Sequence, residues 1–325
     1  MLAFVLSGGG NRGPLEVGAL QVLLEHGITP DILVGSSAGA VNAAFLAVDP
    51  SPATALSLEE LWVKAREERV FPHNRLTMFW RFLAGKDSLY DNDNFRRLVE
   101  EYLPEGHNRF ADVRGVKLYI VATKLETGGL RLFGDDPDES LLDAIMASTA
   151  LPPFFPPWRC GEELLVDGGM AADLPVRVAV NRGAREVYAL HLVDAQRKAQ
   201  QLRGLLDISE QAITAVLARQ QQIDLEESES LKGVKIHYVP LTGFYGIPLW
   251  DLTQTEAMVE SGRRQMEEYL TRSPRVSEAG RLSALREAVR RGLRTIRTGL
   301  SHLPASHRFA GHGPEDTSSP LRLSS

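Results

Sequence analysis

Three short stretches carry residues that could do chemistry together. GSSAG, Gly35 to Gly39, is a GxSxG centred on Ser37. Between a strand and a helix this spacing makes a nucleophile elbow, a tight turn that lifts the serine hydroxyl above a sheet. SGGGNRG, Ser7 to Gly13, lies between apolar AFVL and the helix-like LEVGALQVLLEHG, and its Gly8, Gly10 and Gly13 spell GxGxxG. LLVDGGM sets Asp167 at the end of an apolar run, with Gly168 and Gly169 after it to permit close backbone approach. A hydroxyl, an acid and a loop of backbone N–H groups are the parts of acyl transfer.

The GxGxxG run has two readings. A loop that holds a dinucleotide pyrophosphate needs an Asp or Glu about 20 residues on, at the end of the second strand, for the ribose hydroxyls. Here the second strand-like run ends in Val34-Gly35-Ser36-Ser37, and the nearby Asp31 begins that run, on the wrong sheet edge. The sequence therefore argues against a dinucleotide. Loops after adjacent parallel strands lie side by side, so the glycine loop would face the place where a carbonyl attacked by Ser37 becomes an oxyanion. Gly9 and Gly10 are the natural donors, and Arg12 would steady the loop or the charge.

Serine needs a proton acceptor, usually histidine. None of the eight histidines carries a loop signature suited to that task. His191 and His237 lie within strand-like runs, yet the order Ser37, Asp167, His191 matches an α/β-hydrolase triad and stays open as an alternative. Asp167 is better placed, and burial would raise it from the usual ~3.9 towards a useful base.

These residues need a sheet to position them. LAFVL (2 to 6), ITPDILVG (28 to 35), VKLYIVAT (116 to 123), GLRLF (129 to 133), EELLVDG (162 to 168), REVYALHLV (185 to 193) and VKIHYVPL (234 to 241) read as strands among amphipathic helical stretches. That alternation predicts an α/β fold. The 325 residues, 43% of them apolar, can bury a large core, and the net charge of −6 argues against a nucleic-acid partner. Cys160, the single cysteine, precludes an internal disulfide and a multi-thiolate metal site and fits a reducing compartment.

Two regions stand apart. Residues 62 to 103 are helix-like and crowded with aromatics, as a cap over a site or as helices covering the sheet. Those aromatics, with Phe154, Phe155 and Trp158, suggest either an apolar acyl pocket or ordinary core. Beyond 270, Leu282, Leu285, Val289, Leu293, Ile296 and Leu300 form one stripe among six arginines. Such a basic amphipathic helix suits an anionic membrane surface or packing on the body of the protein. The expected organisation is a catalytic domain over 1–270 with a helical insertion at 62–103, an amphipathic helix over 271–300 and a disordered tail over 301–325. With no apolar segment of about 18 residues and no signal-like start, the expectation is a cytoplasmic protein, with peripheral membrane contact left open.

Taken together the three motifs closely resemble the patatin-like phospholipase family, in the family's order. ASTALPPFFPP (147 to 157), ATKLETG (122 to 128) and DGGMAADLPVRVAVNRGAREV (167 to 187) are similar too, so the resemblance covers about residues 2 to 190, weakening to about 270. It implies a three-layer α/β/α sandwich with a mostly parallel central sheet and a Ser37–Asp167 dyad. It also implies an oxyanion hole from Gly9, Gly10 and Arg12, with Gly8, Gly13, Gly35, Gly39, Gly168 and Gly169 as motif glycines. No metal or cofactor follows from it. The implied activity is hydrolysis of fatty-acyl esters of lipids, of phospholipase A, lysophospholipase or carboxylesterase type. The non-enzymatic alternative is a silent lipid-binding module of the same fold.

Overall fold

Apolar runs of five to eight residues separated by helices build parallel strands, because each crossover helix covers the sheet and buries the strands on both faces. The computed structural model describes residues 1–68, 70, 80, 81, 83–103, 106, 108–193, 204–249 and 251–272. β1 (Leu2–Leu6), α1 (Gly13–Glu25), β2 (Ile32–Ser36), α2 (Ala38–Val48), α3 (Pro52–Glu67) and α4 (Asp93–Tyr102) come first. β3 (Lys117–Lys124), β4 (Leu130–Phe133), α5 (Leu141–Ser148), β5 (Trp158–Cys160) and β6 (Glu163–Val166) follow. α6 (Val176–Asn181), β7 (Glu186–Leu192), α7 (Gly204–Glu229), β8 (Lys235–Leu241) and α8 (Thr255–Arg272) complete the described chain.

The strands form one sheet in the order β5-β6-β3-β2-β1-β7-β8, with β4 also on β3. β3, β2, β1, β7 and β8 are parallel, while at one side β4 and β6 run against β3 and β5 runs against β6. Period-two alternation sends Phe4, Leu6, Leu33, Ile120 and Leu190 into the main core with α1 and α2. The alternate residues Ala3, Val5, Val34, Val121 and Ala189 are buried on the other face, where α6 packs on β1, β2 and β7. Helices therefore cover both faces of a mostly parallel sheet, the expected three-layer sandwich.

Two local differences from the sequence reading bear on the site. The strand before Asp167 runs against β3, not with it, and pairs only through Thr123↔Val166 and Lys124↔Leu165. Because β6 stops there, its last residue sits level with the end of β2, and the following turn faces Ser37. β5 was not foreseen, since three residues are too few for a periodic pattern. In the insertion at 62–103, α4 and the end of α3 add Leu98, Val99 and Ala65 to the main core. The expected amphipathic helix and tail lie outside the described residues, apart from Thr271 and Arg272 at the end of α8.

The fold is closed by a contact between its first and last described helices. Gly18 of α1 lies against the backbone of Val259 and Arg263 on α8, and Gly262 of α8 lies against the backbone of Leu15 on α1. Arg263 adds hydrogen bonds to Gln21 at 3.0 Å and to Glu25 at 2.6 and 2.8 Å. In an exposed helix Gly→Ala stabilises by about 1 kcal/mol. At Gly262 the sign reverses, because the new methyl meets rigid backbone and overpacking costs about 1 to 3 kcal/mol. Gly262→Ala is expected to lower the urea midpoint without changing the m-value.

Candidate active site

The elbow forms because β2 hands directly over to α2. Ser37 sits between them at φ 50 and ψ −118, left-handed backbone that a side chain rarely adopts. Such strain costs on the order of 1 to 3 kcal/mol and needs outside support. The support comes from α5, whose Ser148 hydroxyl accepts the Ser37 N–H at 2.8 Å. A side chain at Gly39 would strike the Leu6 carbonyl, so only glycine lets α2 come this close to β1.

Ser37 Oγ donates to Asp167 Oδ2 at 2.6 Å. Asp167 is 2% exposed and is held from three sides. Its Oδ1 accepts the Gly169 N–H at 2.9 Å, its carbonyl accepts the Thr123 hydroxyl at 2.7 Å, and its N–H donates to Ala150 at 3.0 Å. Burial pushes its carboxyl up to about 6, against the opposing pull of the Ser37 and Gly169 hydrogen bonds.

The glycine loop lies beside this pair. Gly8, Gly9, Gly10 and Arg12 share a cavity with Ser37 and Asp167. Gly10 takes φ 57, the left-handed turn that opens a short 3-10 helix, Gly10–Arg12, before α1. Ser7 Oγ accepts the Leu192 N–H at 2.8 Å, and Arg12 Nη1 donates to the Val193 carbonyl at 2.6 Å, so both tie the loop to the end of β7. Asn11 Nδ2 donates to the carbonyls of Pro248 and Asp251, each at 2.8 Å, and so moors the loop to the segment before α8.

The structure does not bring His191 to the pair. Its Nδ1 meets the Tyr238 hydroxyl at 2.6 Å, it lines neither cavity that borders Ser37, and burial pushes it down to about 4. His237 is engaged with Glu186 at 2.7 Å. Asp31 lies at the opposite edge of the sheet, where Oδ2 accepts the Leu2 N–H at 2.7 Å. Of the aromatics singled out, Trp62, Phe95 and Phe155 line a cavity at Ser37, whereas Trp158 turns away to Asp143 at 2.9 Å. Cys160 is half-buried and its thiol is pushed up to about 12, chiefly by burial. Among the described residues no group of three or more His, Cys, Asp or Glu could hold a metal ion.

Some site residues were not legible in advance. Asp173, 2% exposed, accepts the Gly8 N–H through its carbonyl at 3.1 Å and the Gln221 amide through Oδ2 at 2.7 Å. Its Oδ1 packs against Gly8, and burial holds its carboxyl well above the ordinary range. Gln221 and Leu249 also escaped notice, since nothing local marks them and each acts across a long sequence separation; Ser148 was read only as part of the segment 147 to 157, with no role of its own.

A model of the patatin-like phospholipase family matches residues 4–180, which include the elbow, the glycine loop and Asp167. The chain belongs to that family. Curated patatin-like relatives include the Caenorhabditis elegans patatin-like phospholipase domain-containing protein ZK370.4, 28% identical over 194 residues, 58% of this chain and 13% of its own length. The human patatin-like phospholipase domain-containing protein 6 is 28% identical over 195 residues, again 58% of this chain and 13% of its own. The Bacillus subtilis protein YqhO is 27% identical over 217 residues, 60% of this chain and 72% of its own. Among solved structures, VipD from Legionella pneumophila is 17% identical with a TM-score of 0.43, covering 83% of this chain and 66% of its own. The Pseudomonas aeruginosa ExoU–SpcU complex is 20% identical with a TM-score of 0.40, covering 83% and 51%.

Asp167 makes the site's stability pH-dependent. The folded chain holds its proton up to about 6, whereas the unfolded chain releases it near 3.8. Raising the pH through that window therefore removes stability, roughly 2 to 3 kcal/mol in all. Asp167→Asn should melt above the parent at pH 7, with the gap closing as pH falls below about 4.

Proposed function

We propose that this chain is a serine hydrolase of fatty-acyl esters in lipids, with Ser37 as nucleophile and Asp167 as its proton acceptor. The observation that carries the reading is the direct 2.6 Å hydrogen bond from Ser37 Oγ to a buried carboxylate, with no imidazole between them. Membership of the patatin-like phospholipase family supports a lipid ester hydrolase; the dyad and the substrate type are the finer part of the proposal.

Asp167 accepts the Ser37 proton as Oγ attacks the ester carbonyl, and desolvation makes it a better base than a carboxylate in water. The carbonyl oxygen becomes an anion facing the Gly9 and Gly10 N–H groups. Each donor of this kind is worth roughly 3 to 4 kcal/mol in the transition state. Arg12 steadies the loop by its bond to Val193 and adds positive charge beside it. The tetrahedral species collapses to an acyl-Ser37, and Asp167 passes its proton to the departing alkoxide. A water, losing its proton to Asp167, then attacks the acyl carbon; the acyl–Oγ bond breaks, Asp167 returns the proton to Ser37 Oγ, and the fatty acid leaves.

No helix among the described residues is long and apolar enough to cross a membrane. Contact with lipid from the aqueous side is part of the proposal. It is supported by the apolar stripe among arginines in the sequence at 282–300 and tested by vesicle sedimentation with and without residues 271–325.

Fatty-acid release from a phospholipid or a long-chain nitrophenyl ester tests the chemistry. Ser37→Ala should lower kcat by about 10⁴-fold or more and abolish labelling by a fluorophosphonate. Activity that survives Ser37→Ala overturns the reading, and a parent that resists both assays is a silent lipid-binding module. Because Asp167 must be ionised, kcat/KM should rise about tenfold per pH unit below about 6 and level off above it. A rise that persists in Asp167→Asn while His191→Ala is inactive would restore the triad.

A further inference from the structure

Two cavities open on either side of Ser37, and their walls differ in kind. They share Gly10, Asn11, Ser37, Leu151, Asp167 and Leu249. One runs under α2, α3 and α4 and is lined almost wholly by carbon, including Val41, Phe45, Leu61, Ala65, Phe95 and Val99. The other is walled by α7 and the glycine loop, and sets Arg12, Asp173, Gln211, Thr214 and Gln221 beside apolar Ile213, Leu217 and Phe244, so polar and apolar surface share it about equally. An ester bound at Ser37 also has two unlike sides, a hydrocarbon acyl chain and an oxygen-rich alcohol.

We infer that the ester binds in one orientation, with the acyl chain in the cavity under α2, α3 and α4 and the alcohol in the cavity under α7, parted by Leu151 and Leu249. This rests on the serine hydrolase reading above and adds the direction and the depth of the substrate. Each methylene removed from water favours the carbon-lined side by about 0.8 kcal/mol. The reverse placement would bury the alcohol's polar groups without partners, at about 1 to 3 kcal/mol for each.

The depth of the acyl site is set along α2. Val41 and Phe45 stand one and two turns beyond Ser37 on the same helix face, about 6 and 12 Å along the axis. Past the small Ala38, Val41 is thus the first bulky side chain on α2 that a growing acyl chain passes. Val41→Trp should lower the ratio of kcat/KM for p-nitrophenyl dodecanoate over p-nitrophenyl butyrate by at least about tenfold. Thr214→Trp, in the other cavity, should leave that ratio at the parent's value.

Labelling of Ser37 by a short-chain fluorophosphonate reports whether the site is assembled in each variant. Where Val41→Trp loses that label, Val41→Leu takes its place, and the ratio must still fall. An unchanged ratio in a labelled Val41 variant overturns the inference, as does a ratio lowered by Thr214→Trp and not by the Val41 variants. A parent that neither hydrolyses nor labels refutes the hydrolase reading itself, which is a different result from a parent that hydrolyses with no response at residue 41.

Discussion

The hydrogen bond between Ser37 Oγ and Asp167 Oδ2 is the contact around which the other parts are arranged. A carboxylate can serve a serine directly only if it is kept from water and aimed at the hydroxyl. Both demands are met by burial at the end of β6, which strips solvent from Asp167, and by three backbone and side-chain hydrogen bonds that leave Oδ2 for Ser37. Burial disfavours the charged form, so the site trades folding stability for basicity, as functional sites often do. The strained elbow adds a second local cost, offset by the packed sheet and by the Ser148 hydroxyl.

The sheet order explains why two unlike cavities meet at one serine. Successive strands go from β1 to β2 and β3 on one side, while β7 and β8 lie on the other, so the direction of strand order reverses beside β1. Crevices form at such reversals, beyond the carboxyl ends of the strands. The glycine loop leaves β1 at that point. Helices α2, α3 and α4 wall the crevice with apolar side chains, and α7 walls it with Gln211, Thr214 and Gln221 among Ile213, Leu217 and Ala218.

Much of this was legible in the sequence, and the reasons differ by element. Ser37 could be found because the elbow's spacing is local and its glycines are demanded by a close approach. Asp167 could be found because an apolar run ends on it. The glycine loop was ambiguous alone, and only the residues at the end of the second strand argued against a dinucleotide there. The antiparallel direction of β6 was not legible, since a four-residue apolar run looks the same in either direction. Asp173, Gln221 and Leu249 were not legible because their partners lie far away along the chain, where no period or motif connects them.

Asn11 has a consequence for the order in which the site is completed. Its two hydrogen bonds reach carbonyls 237 and 240 residues further along the chain. A chain emerging from the ribosome can close the elbow once α5 has been made and can add the acid once β6 has followed. The glycine loop, although synthesised before either, gains the Asn11 anchor only after Asp251 has emerged. Contacts of such long range form late in folding. The nascent protein therefore holds Ser37 at its elbow before it carries the finished loop opposite.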